Sequence, residues 1–152
     1  MLPTPKKFAL VVGYGEGKSR LNAFDHALLD AGVGSLNLIK VSSILPPGAE
    51  YVDRLEIPPG SLTPTAYGAI ISDSPGEVIS AAIGVGFSEN SFGMIMEFSG
   101  KCTREEADRA VRAMVEEAFA SRGMSLREVK SKAIEAQVRG VACCFAAATL
   151  WY

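Results

Sequence analysis

Ser42 and Ser43 stand side by side in the stretch Lys40-Val41-Ser42-Ser43-Ile44-Leu45-Pro46-Pro47. The Ser43 hydroxyl is one bond system away from the Ser42 carbonyl, so its oxygen can attack that carbon. The new C–O bond forms as the C–N bond breaks, the hydroxyl proton passes to the freed amine, and an ester results. Elimination across Ser43 then releases residues 1–42 with an ordinary carboxylate and leaves a dehydroalanine. Its tautomer takes up water and loses ammonia, so that residues 43–152 begin with a pyruvoyl ketone. The bland reading of the same octapeptide is a strand-to-turn junction, and a short motif alone does not decide between the two.

Three further side chains could take part in chemistry. Glu97 ends an apolar run, Phe92 to Phe98. By strand alternation it faces solvent; in an apolar pocket, desolvation would instead raise its pKa and make it a general acid near neutral pH. Asp25 lies three residues after Asn22, where it either faces the first-turn amides of a helix or pairs with a cation. Asn37 is a plain strand residue or an amide that polarises the Ser42 carbonyl during the acyl shift.

A fourth pattern competes with these. Phe8 to Val12 reads as a buried strand and leads into Gly13-Tyr14-Gly15-Glu16-Gly17-Lys18-Ser19, so a small nucleotide-binding enzyme using the Gly13 to Ser19 loop is the alternative function. The spacing is wrong, since a phosphate loop has four residues between its framing glycines and Gly13 and Gly17 have three. Ala69 to Asp73 would then be the magnesium-binding strand end. A flexible turn is the plainer expectation.

The elements that must position these residues follow from periodicity. Asn22 to Ala31 reads as a helix capped by Asn22, with Leu21, Phe24, Leu28 and Ala31 on its apolar face and Gly32 as its stop. Leu36 to Val41 alternates as a strand, and Pro46-Pro47 ends any extension of it near Leu45, which puts the serine pair at the rim of a sheet. Pro46 to Pro64 is mostly loop, with one extended piece at Tyr51 to Leu55. Ala66 to Ser72 and Glu77 to Phe87 read as a hairpin about Ser74-Pro75-Gly76. The second of these strands has a small-residue face, Ser80, Ala82, Gly84 and Gly86, against which something must pack closely. Thr103 to Arg122 is a helix with a capping box from Thr103 and Glu106, and Gly123 ends it. Leu126 to Val138 reads as an exposed strand and Val141 to Tyr152 as an apolar one. Two helices among seven or eight strands suit two packed sheets with a helix on each outer face, an α+β fold.

At 152 residues with 48% hydrophobic and 21% charged residues, the chain is expected to be one domain that buries about 70% of its unfolded surface. A net charge of −2 argues against nucleic acid as a partner and suits a cationic substrate. Cys102, Cys143 and Cys144 with a single histidine, His26, support neither a disulfide framework nor a metal site. No apolar run is long enough to span a bilayer, so no membrane partner is expected and the cytoplasm is the default compartment.

The chain resembles the pyruvoyl-dependent arginine decarboxylases over nearly its whole length. The resemblance rests on Leu21-Asn22-Ala23-Phe24-Asp25, Asn37-Leu38-Ile39, Val41-Ser42-Ser43-Ile44, Pro46-Pro47, Pro64-Thr65-Ala66-Tyr67-Gly68, Ile71-Ser72-Asp73, Pro75-Gly76-Glu77, Ile95-Met96-Glu97, Gly100-Lys101-Cys102 and Leu150-Trp151-Tyr152, in this order. It implies an αββα sandwich forming a single decarboxylase domain over 1–152, self-cleaved between Ser42 and Ser43 into a β chain, 1–42, and an α chain, 43–152. The implied cofactor is a pyruvoyl group derived from Ser43, with no pyridoxal phosphate and no metal. The implied reaction converts L-arginine to agmatine and carbon dioxide through a Schiff base. By the same resemblance Glu97 is the proton donor, Asn37 aids self-processing, Asp25 binds the guanidinium, and Gly34 and Leu36 line the substrate pocket. It also implies homotrimers of αβ protomers, or dimers of trimers, with active sites between subunits.

Overall fold

The computed structural model describes residues 2–152. The elements run β1 (Lys7–Gly17), α1 (Arg20–Asp30), β2 (Asn37–Lys40), β3 (Ile44–Leu45), β4 (Glu50–Tyr51), β5 (Leu62–Ser72), β6 (Val78–Phe87), β7 (Gly93–Gly100), α2 (Arg104–Ser121), β8 (Glu128–Gln137) and β9 (Val141–Trp151). They form a five-stranded sheet ordered β2-β5-β9-β1-β4 and a four-stranded sheet ordered β3-β7-β6-β8. Phe8, Leu10, Ala66, Ile79, Ile83, Val85, Ile95 and Cys144 fill the space between the sheets. Ala23 and Ala27 of α1 pack with Phe145 of β9 on one outer face, and Val115 and Phe119 of α2 with Met94 of β7 on the other. The architecture is therefore the expected αββα sandwich. Each of the larger core side chains contributes roughly 1.5–3 kcal/mol by leaving water, which is what holds four layers in register.

The glycine-rich stretch is not a loop. β1 continues to Gly17, in antiparallel register with β9 from Lys7↔Trp151 to Gly17↔Val141. A Cβ at Gly13, Gly15 or Gly17 would collide with the backbone of α1 at Ala27, Ala23 or Asn22. The three glycines, spaced by two, thus form one bare face of a strand on which the small Ala23 and Ala27 seat the helix. Backbone amides committed to the β1–β9 ladder and covered by a helix cannot wrap phosphates, which removes the nucleotide-binding alternative. Ser72 is equally occupied: its hydroxyl donates to Glu77 at 2.6 Å, and Glu77 pairs with Lys101 at 3.2 Å.

α1 starts earlier than expected. Ser19, not Asn22, is the cap: its Oγ accepts the Asn22 amide at 3.1 Å. Leu21 is left 76% exposed, outside the buried face. Gly32, with φ of 83°, ends the helix as read. α2 has the Thr103–Glu106 capping box, and it covers the small-residue face of β6. A Cβ at Gly84 would touch Val111 and Val115 at 3.3 Å.

β5 and β6 do not form a hairpin. β5 pairs with β2 and β9, whereas β6 pairs with β7 and β8. The turn at Ser74-Pro75-Gly76 carries the chain from one sheet to the other, and both strands alternate well enough to have suited either arrangement. Of the extended piece expected at Tyr51 to Leu55, only the short β4 pairs, alongside Lys7 and Phe8. Among the described residues no helix is long and apolar enough to cross a membrane.

Candidate active site

Ser42 and Ser43 occupy the first crossing between the sheets in chain order. β2 runs parallel to β5, ending with Lys40↔Thr65, and the Val41 amide donates to the Thr65 carbonyl at 3.1 Å. β3 belongs to the other sheet, with Ile44↔Met94 and Leu45↔Gly93, and the Ser43 carbonyl accepts the Ile95 amide at 2.7 Å. The chain therefore changes sheet within Val41-Ser42-Ser43, and the Ser42–Ser43 bond lies between two hydrogen-bonded flanks. Ser42 is exposed; Ser43, at a bend, is partly buried. The expectation of a sheet rim is refined: the pair is the strap between two sheets.

β7 brings Glu97 to the same place. Ser43 continues the β3 register to lie opposite Ile95, and Glu97 is two residues further along the same face. Diagonal neighbours of this kind stand about 7–8 Å apart. Glu97 pairs across strands with the fully buried Ile83, so its side chain enters the margin of the space between the sheets. There Gly68 of β5 leaves room: a Cβ on Gly68 would meet Glu97 Cβ at 3.2 Å. Ser99, two residues on, donates across the gap to the Ala69 carbonyl at 3.2 Å. Burial pushes the Glu97 carboxyl above the usual carboxylate range, with the Lys40 charge pulling it back. A partly buried acid with a raised pKa is suited to delivering a proton.

Lys40 was not among the residues singled out by sequence. Its ammonium lies 4.7 Å from the centroid of the Tyr67 ring. Tyr67 packs on Phe145 at 5.4 Å and Phe24 at 6.3 Å. A lysine at the end of an edge strand ordinarily reads as a guard against edge pairing, so no signal marked it.

Of the remaining candidates, Gly34, Leu36 and Asn37 lie at the other end of β2 from the serine pair. Asp25 is exposed on α1, beside Phe24. Asn37 begins β2, roughly 13 Å by strand rise from Val41, and its Nδ2 donates to the Gly60 carbonyl at 3.0 Å. Gly34 and Leu36 lie at that same end and line a surface cavity of about 210 Å³ with Leu29, Leu55 and Ile57. His26, read as a surface residue, is exposed and bonds the Glu16 carbonyl.

Comparison with known proteins gives a consistent answer. A family model described as pyruvoyl-dependent arginine decarboxylase matches residues 7–152. The chain is 51% identical over 150 residues to the pyruvoyl-dependent arginine decarboxylase of Methanocaldococcus jannaschii, covering 97% of this chain and 91% of that one. It is 50% identical over 139 residues to the protein of that name from Thermococcus sibiricus, covering 90% and 88%. For the one from Methanococcus vannielii the identity is 45% over 150 residues, covering 97% and 92%.

Proposed function

The chain belongs to the pyruvoyl-dependent arginine decarboxylase family, and from that premise we propose that it cuts itself between Ser42 and Ser43 and then converts L-arginine to agmatine and carbon dioxide. The observation that carries the reading is the sheet crossing. Val41 is held by Thr65 in one sheet and Ser43 by Ile95 in the other, so the reacting Oγ and carbonyl are confined to a short strap with fixed ends.

Self-cleavage on this reading leaves both pieces in place. Residues 1–42 contain β1, α1 and β2, and the eleven-residue register of β1 with β9 keeps them bound to residues 43–152. The new Ser42 carboxylate ends one sheet's edge strand; the new group at position 43 starts on the other, its own carbonyl still bonded to Ile95.

The residues present fit a pyruvoyl group at position 43: a partly buried position at a bend, opposite Ile95 and diagonal to Glu97. Such a group supplies the electron sink for the pair left behind when carbon dioxide departs. Glu97 holds a proton that it delivers to the α-carbon of the substrate. Asp25 offers a planar carboxylate suited to a guanidinium through paired charge-assisted hydrogen bonds.

Gly34, Leu36 and Asn37, at the far end of β2, complete a site with Ser43 and Glu97 only if two chains meet. Several large apolar side chains favour such contact, among them Leu21, Leu29 and Leu62, at 76%, 55% and 65% exposed. A homotrimer with sites between neighbours, as the family resemblance implies, satisfies this. The direct test is agmatine formation from arginine by the purified chain, with and without Ser43→Ala. Agmatine from the wild type alone supports the reading, and none from either is the result that would sink it.

A further inference from the structure

Lys40 ends β2, opposite Thr65, two residues before the Ser42–Ser43 bond. Beyond Thr65 the β2 side of β5 has no strand partner among the described residues, so Tyr67 and Gly68 lie along an open edge. The Lys40 ammonium sits over the Tyr67 ring, 4.7 Å from its centroid, on the face covered by α1. Glu97 lies against Gly68, the next residue, on the opposite face. The two charged side chains thus flank one dipeptide of β5 from its opposite faces, at the strand's open edge.

The seat under Lys40 is rigid. Tyr67 is wedged against Phe145, which is fully buried, and against Phe24. An ammonium on a ring face keeps its full charge while giving up freedom of movement. Lys40 forms no ion pair among the described residues, so its field is not cancelled by a nearer carboxylate.

Lys132 of β8 stands in the same cross-strand row as Glu97 but one strand further away, beyond Ile83. β6 carries no ionisable side chain and β3 is Ile44–Leu45. β5 contributes only Tyr67, whose ring is on the α1 side. On β9, Cys144 faces the core between the sheets as a thiol that burial keeps neutral, its pKa pushed up to about 12, and Cys143 lies under α1. The charges of α2 are on the far side of the second sheet.

We propose that Lys40 is a positioning residue for decarboxylation: seated on Tyr67 at the open edge of β5, its ammonium acts across the Tyr67–Gly68 dipeptide on Glu97, the acid that gives its proton to the substrate carbon. This rests on the decarboxylase reading above. Lys40 touches no reacting atom on this view and acts through Glu97.

The test reads the Glu97 carboxyl directly by ¹³C NMR titration in the uncleavable Ser43→Ala chain. With Lys40→Met, loss of the positive charge favours the neutral acid, and the Glu97 midpoint should rise by about half to one pH unit. Lys40→Arg and Tyr67→Phe retain charge and seat and should leave it unchanged. In the cleavable chain the alkaline fall of kcat should move upward by the same amount. An unmoved midpoint in Lys40→Met overturns the proposal whether or not the enzyme is active. A moved midpoint in a protein whose wild type is inert toward arginine overturns the decarboxylase reading instead, so the two failures are distinguishable.

Discussion

The Ser43 carbonyl accepts the Ile95 amide at 2.7 Å, and through that bond β7 holds both the residue that would become the cofactor and, two positions on, Glu97. Proton donor and electron sink would then be set by one strand's register. A slip of one residue would turn Glu97 to the α2 face, so the inner β6–β7 pairing from Ser80↔Gly100 to Gly86↔Met94 is as necessary to the site as the acid itself.

Glu97→Gln should still fold and should lose decarboxylation by about 10²–10⁴-fold in kcat. Stability should move in the opposite sense. Burial raises the Glu97 pKa in the folded chain, so ionisation penalises the fold. No penalty exists below the unfolded carboxylate pKa, where both states are protonated; it grows as pH rises from there to the raised folded value and is constant above it. Thermal melts should therefore coincide at low pH and show Glu97→Gln the more stable above it. A mutant less stable than wild type at neutral pH would contradict the desolvated setting.

Asp25→Asn removes a charge from an exposed helix position and should leave folding and self-cleavage intact. The expected change is a rise in KM for arginine of about 10- to 100-fold, the scale of a lost charge-assisted interaction. Steady-state kinetics beside a gel of the cleaved fragments separates the two effects, and unchanged KM would remove Asp25 from the substrate site.

Gly15→Ala places a methyl group into the α1 backbone at Ala27 and Ala23. Overpacking against backbone that cannot yield costs about 1–3 kcal/mol or more, read as a fall in Tm. ATP with magnesium should shift neither melt. A normal Tm would mean α1 does not sit as described.

Asn37, at the far end of β2, can act on the Ser42 carbonyl only in a neighbouring chain. Co-expression of Asn37→Ala with Ser43→Ala should then yield cut fragments from the Asn37→Ala chain, whose bond is served by the intact Asn37 of its neighbour. Mass spectrometry identifies which chain was cut. If both chains stay whole, assistance between subunits is excluded.

Layering was legible in the sequence because it follows from periodicity: two amphipathic helices, a small-residue face on β6, and an apolar last strand that proved central. Pairing was not. Pro75-Gly76 turns a hairpin and a sheet-to-sheet corner equally well, so the β5–β6 relation depended on partners remote in sequence. Gly13, Gly15 and Gly17 suggested loop chemistry because glycine marks both flexibility and close approach, and only the helix lying on them distinguishes the two. At the site, Ser42, Ser43 and Glu97 stood out through motifs, whereas the Lys40 contact with Tyr67 arises from parallel β2–β5 pairing across more than twenty intervening residues.

Intact mass spectrometry of the purified chain under denaturing conditions tests self-cleavage most directly. Two species are expected, one ending at Ser42 with a free carboxylate and one beginning at position 43 with a pyruvoyl group and no free amine, while Ser43→Ala gives a single uncut chain. A wild-type protein that stays whole, with Ser43 still a serine, would contradict the self-processing mechanism and with it the proposed route to agmatine.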